Sequence, residues 1–123
     1  MRRCFVIVGV VLLSAFAQSL SSQTAAEVRK IEALIAHVEN MQEAVFIRNG
    51  SEYTCKEAAA HMRRKWQALA DRVQTARDFI TLAGSVSSQS GQPYMIRFKD
   101  GRTIPSGELL LGVLNKIEAS EKR

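Results

Sequence analysis

Cysteine is nearly absent from this 123-residue chain, which has two, Cys4 and Cys55. Cys4 lies in a segment that reads as removable, so no disulfide can form within what remains, and paired-cysteine metal ligands are excluded with it. The seven glycines form no glycine-rich phosphate loop and no nucleophile elbow. Aromatic residues make up 7% of the chain, too few and too scattered for a platform on which nucleic-acid bases stack. No apolar run reaches the ~20 residues that a membrane span requires. Internal repeats and low-complexity tracts are missing as well.

What is present begins at the N-terminus. Met1-Arg2-Arg3 is followed by an apolar run over 4–13 and then Ser14-Ala15-Phe16-Ala17. A positive start, a short apolar stretch and a small-x-small exit are the three parts of a cleavable secretory signal. Ala15 and Ala17 suit the small pockets of a signal peptidase, so residues 1–17 are expected to be removed and the protein exported to the periplasm. The membrane is then met only through that transient segment. A lipoprotein is disfavoured, because Cys4 precedes the apolar run where a lipidated cysteine would follow it. Loss of Arg2 and Arg3 takes the formal charge from +5 to +3 and leaves enough chain for one domain.

The rest divides into a disordered lead at 18–23, a single α+β domain at 24–119 and a frayed tail at 120–123. Thr24-Ala25-Ala26-Glu27 is a capping box, and Val28, Ile31, Leu34, Ile35, Val38 and Met41 follow at helical spacing. Val45-Phe46-Ile47-Arg48, then Asn49-Gly50, then Ser51-Glu52-Tyr53 reads as a hairpin on a type I′ turn. Thr54-Cys55-Lys56-Glu57 is a second capping box. From it, Cys55, Ala59, Met62, Trp66, Leu69, Val73, Ala76, Ile80 and Ala83 stay in one helical register as far as Gly84. That predicts a single long helix with one buried face. A flexible loop at 85–92 leads to a second hairpin around Lys99-Asp100-Gly101-Arg102, and Pro105-Ser106 opens a last helix. The expected fold is three helices with two short β-hairpins forming a small antiparallel sheet, in the order α-ββ-α-ββ-α.

Two groups of residues carry possible chemistry. Arg48 and Arg97 flank the hairpins, Tyr53 follows the first turn, and Arg64 sits on the second helix. Together they define a candidate binding site, because a guanidinium grips carboxylate or phosphate with two parallel hydrogen bonds. The amides at the start of that helix would favour the same anion. Solvated surface charge is the competing reading. Glu57, His61 and Lys65 share one helix face and are compatible with proton transfer, with one metal, or with simple helix-surface pairing. A metal wants three or four ligands and the other histidine, His37, lies on a different helix, so no metal, cofactor or catalytic set is assigned. Cys55 is a buried small residue, a reactive thiol or an intermolecular bridge, and its place in the helical register favours the first.

Phe46-Ile47-Arg48-Asn49-Gly50-x-x-Tyr53 and Glu57-Ala58-Ala59-x-His61-x-Arg63-Arg64-Lys65 resemble a group of short exported proteobacterial proteins known only as a domain of unknown function. Gly91-x-Pro93-Tyr94-x-Ile96-Arg97, Asp100-Gly101-Arg102 and Pro105-Ser106 extend the likeness over about residues 28–117. The resemblance implies a periplasmic location and brings no activity or catalytic residues. The leading functional reading is a non-enzymatic binding or accessory module for an anionic envelope component or a protein partner, with no nucleic acid involved. A small hydrolase, or an inhibitor of an envelope enzyme, using Glu57 and His61 or Tyr53 is the alternative.

Overall fold

The computed structural model describes residues 23–122. The expected signal peptide and almost all of the expected disordered lead lie outside the described residues. The class is α+β, but the arrangement of three helices with two hairpins is overturned. The described residues form four α-helices and one four-stranded antiparallel sheet. In chain order they are α1 (Ala25–Glu39), β1 (Val45–Arg48), β2 (Ser51–Thr54), α2 (Cys55–Ala68), α3 (Ala76–Phe79), β3 (Met95–Arg97), β4 (Thr103–Pro105) and α4 (Ser106–Glu121). A π-helical turn, Ile80–Gly84, continues directly from α3.

The correction falls on the single long helix, which breaks after Ala68. Leu69 caps α2, its amide reaching the carbonyls of Lys65 and Trp66. Thr75 then starts α3 with a capping box of its own: its hydroxyl accepts from the Asp78 amide, and the Asp78 carboxylate accepts from the Thr75 amide. Packing reinforces the break. The Gln23 side chain donates to the carbonyls of Ala70 and Val73, and the Glu27 carboxylate accepts from the Ala76 amide. Backbone groups that would be orphaned at a helix end are thus satisfied by the approach of α1. The turn after α3 widens to π geometry, and the Ser85 hydroxyl donates to the Ile80 carbonyl.

Glu27 explains a smaller difference. Thr24 caps α1 as expected, accepting from the Glu27 amide. The Glu27 carboxylate, however, does not close the box; it pairs with Lys30 at 2.9 Å and reaches across to α3. Those bonds, Lys30 first, hold its carboxyl below the usual range.

In the sheet the order is β2-β1-β3-β4, all neighbours antiparallel. Asn49 and Gly50 take positive φ values of 50° and 78°, the backbone that the tight β1–β2 turn demands. Helices cover one face. Phe46, Tyr94 and Ile96 project there and join Ile31, Leu34, Ile35 and Val38 of α1, Met62 of α2, Phe79 and Leu110 in one fully buried core. Cys55 belongs to the same core, its thiol donating to the Ala44 carbonyl at 3.4 Å, and burial pushes its pKa up. Trp66 and Leu69, expected on the buried stripe, are only partly covered and flank the core where the helix breaks.

Candidate functional site

Alternation along β1 decides which side chains reach the helices. Phe46 faces the core, so Arg48, two residues on, projects from the same face, and Tyr53 stands opposite Phe46 in the adjacent strand. Because α2 follows β2 without a spacer, its first turns lie over these residues. Glu57, Ala58, His61 and Arg64, spaced three and four apart, present one stripe to them. The result is a pocket of about 250 Å³ lined by Phe46, Arg48, Tyr53, Glu57, Ala58, His61 and Arg64.

Arg48 is the centre of its hydrogen bonding. Its Nη1 lies 3.2 Å from Nδ1 and 3.1 Å from Nε2 of His61, and its guanidinium stands 5.4 Å from the centroid of the Tyr53 ring. A neutral imidazole has one acceptor nitrogen, so only one of the two contacts to His61 is a hydrogen bond. The Arg48 Nε is buried with no partner. Behind His61, Nε2 meets the Tyr94 hydroxyl at 3.2 Å, and the Lys65 ammonium donates to the same hydroxyl at 3.1 Å and to the Val86 carbonyl at 2.9 Å.

These groups perturb one another. Burial lowers the His61 pKa from its ordinary 6.5 to about 4, helped by the positive charges of Arg48, Lys65 and Arg64. Burial lowers Lys65 as well, with Arg48 second, and raises the Tyr94 hydroxyl. His61 is therefore neutral at pH 7. Its folded pKa lies below its unfolded one, so the unfolded chain binds the extra proton between about pH 6.5 and 4. The stability linked to His61 is complete above that window and is lost as pH falls through it. Thermal midpoints measured from pH 7.5 to 4.5 should fall more steeply for the native protein than for His61→Gln; parallel profiles would show that His61 titrates normally.

Of the residues expected to form the binding site, Arg48, Tyr53 and Arg64 line the pocket together and Arg97 does not. Arg97 pairs with Val45, which points away from Phe46, so it projects from the uncovered face of the sheet. There it makes an ion pair with Glu52 at 2.6 Å. At the start of α2 the Glu57 amide is already taken by the Thr54 hydroxyl. Thr54 and Glu57 occupy that end, the Glu57 carboxylate accepting from the Thr54 amide at 2.9 Å. Glu57 and His61 share the pocket, but the partners of His61 are Arg48 and Tyr94. Among the described residues no three His, Cys, Asp or Glu side chains gather closely enough to hold a metal ion. Tyr94 was not legible as a site residue, because only the pairing of β3 with β1 brings it behind His61.

Residues 25–118 match the model of a family described as a family of unknown function, DUF5329. The "Uncharacterized protein YfeK" of Salmonella typhimurium is 32% identical over 89 residues, covering 72% of this chain and 74% of that protein. No solved structure matches.

Proposed function

The chain belongs to that family of unknown function, and with no activity supplied by its relatives we propose, from the pocket itself, an exported periplasmic binding module. On this reading it is non-enzymatic and takes an anionic group of an envelope component or protein partner at Arg48, Tyr53 and Arg64. The observation that carries the proposal is a surplus of donors. Arg48 and Lys65 have only N–H groups to offer, His61 and Tyr94 supply few acceptors, and the Arg48 Nε has none. Among the described residues no carboxylate forms an ion pair with Arg48, Arg64 or Lys65. Arg48 and Lys65 are half-buried while Arg64 is exposed, and half-buried cations without counter-charges are costly until acceptors arrive; carboxylate or phosphate brings nothing but acceptors.

Export is supported by Arg2, Arg3 and the Ala15-Phe16-Ala17 exit. The hydrolase alternative has less support, since the Glu57 carboxylate is engaged at the helix cap.

Calorimetric titration of the purified protein with phenyl phosphate and with benzoate tests the reading. At least one probe should bind, and Arg48→Ala should weaken it by roughly tenfold or more, the scale of a hydrogen bond to a charged group. Arg97→Ala should leave affinity within about twofold, because Arg97 stands on the other face. A protein that binds neither probe, or an Arg97 effect equal to that of Arg48, overturns the proposal.

A further inference from the structure

The pocket has an uneven chemistry that narrows the anion it suits. Its lining combines apolar surface, the Tyr53 ring with Phe46 and Ala58 behind it, with the polar groups of Arg48, Arg64 and His61. Resting on the anion-binding reading, we infer that the ligand is a phosphate monoester held as its dianion, with the His61 ring taking up a proton as it binds. The apolar lining is offered to the ester carbons and the Arg48, Arg64 and His61 groups to the three free phosphate oxygens.

The charges around His61 decide between a dianion and a monoanion. Arg48 of β1 and Arg64 and Lys65 of α2 face the ring with positive charge. Glu57 of α2 is the one carboxylate lining the pocket, and it is committed to the Thr54 amide. Tyr94, ahead of β3, meets the ring with its hydroxyl, and Tyr53 of β2 lines the same pocket. A carboxylate offsets one of three positive charges and leaves the ring neutral. A phosphate dianion offsets two and adds acceptor oxygens beside the ring, which favours converting the acceptor nitrogen of His61 into a second donor. With His61 protonated, neither ring nitrogen accepts from Arg48, and the guanidinium is released to the phosphate as well.

Proton uptake gives the inference its own readout. Above the second phosphate pKa of about 6, the free partners are the dianion and a neutral ring, so binding draws one proton from solvent. Affinity for phenyl phosphate should fall by up to about tenfold per pH unit between pH 7 and 8. Calorimetry in buffers of different ionisation enthalpy should register the uptake. Benzoate should bind at least about tenfold more weakly at pH 7, the two charges of the dianion against one, and without proton uptake. His61→Gln should still bind phenyl phosphate, now with a flat pH profile. Vesicles containing phosphatidic acid distinguish a lipid headgroup from a soluble ester: co-sedimentation assigns the lipid source, and binding of phenyl phosphate alone assigns the soluble one. Binding of phenyl phosphate with no proton uptake, or equal affinity for benzoate, overturns the inference and leaves the anion site standing. Failure of both probes removes the anion site itself.

Discussion

Phe79→Ala is expected to destabilise the protein by about 3–5 kcal/mol and to lower its thermal midpoint by about 12 °C or more. Phe79 closes α3 and is fully buried. Its ring meets the Trp66 ring edge-on, with centroids 6.2 Å apart. The gap left by alanine cannot be filled readily. Trp66 is tethered by its indole N–H to the Gln23 side chain at 3.2 Å, and the π-helical turn begins at the next residue. Urea denaturation with an unchanged slope should yield this loss directly. A change under about 1 kcal/mol would mean that the neighbourhood collapses onto the gap, contrary to the tethered geometry described here.

The second large effect concerns the approach of α4. A methyl group on Gly84 would stand 2.5 Å from Leu110 Cδ1, and Leu110 is itself fully buried. Gly84→Ala is therefore expected to cost about 1–3 kcal/mol by overpacking. Leu110→Ala alone should cost about 2–5 kcal/mol by leaving a cavity. The double variant should be more stable than the sum of the two losses, because the new methyl enters space that the leucine vacated. Strict additivity would show that the close approach is relieved elsewhere.

Local signals in the sequence were legible where local chemistry settles structure. The α1 stripe, the Asn49-Gly50 turn and the Thr54–Glu57 capping box each rest on residues within a few positions of one another. The break between α2 and α3 illustrates the limit. Thr75-Ala76-Arg77-Asp78 is a capping box in plain sight, yet the apolar register runs through it undisturbed, and Val73 remains buried on either reading. What resolves the choice is Gln23 and Glu27, some fifty residues earlier, supplying partners to backbone groups at the break.

The candidate site divides in the same way. Tyr53, Glu57, His61 and Arg64 come together because β2 runs directly into α2, a relation readable from the chain. The separation of Arg48 from Arg97 depends on the register between β1 and β3, in which Val45 lies opposite Arg97. A shift of one residue would have put both arginines on one face. That register is fixed by the burial of Phe46 and Ile96 against the helices, a long-range property.

The strand order also governs how the molecule meets its own copies in a crowded compartment. With β1 and β3 inside, the edges of the sheet among the described residues are β2 and β4. Strand β4 is three residues long and ends on Pro105, which has no amide proton to lend to an incoming fifth strand. Strand β2 is four residues long, with Glu52 exposed upon it and a helix beginning at the very next residue. Neither rim is a long, flat, apolar template, so further strands find little to extend and edge-to-edge aggregation is resisted, on the β2 side by a strand that also lines the pocket.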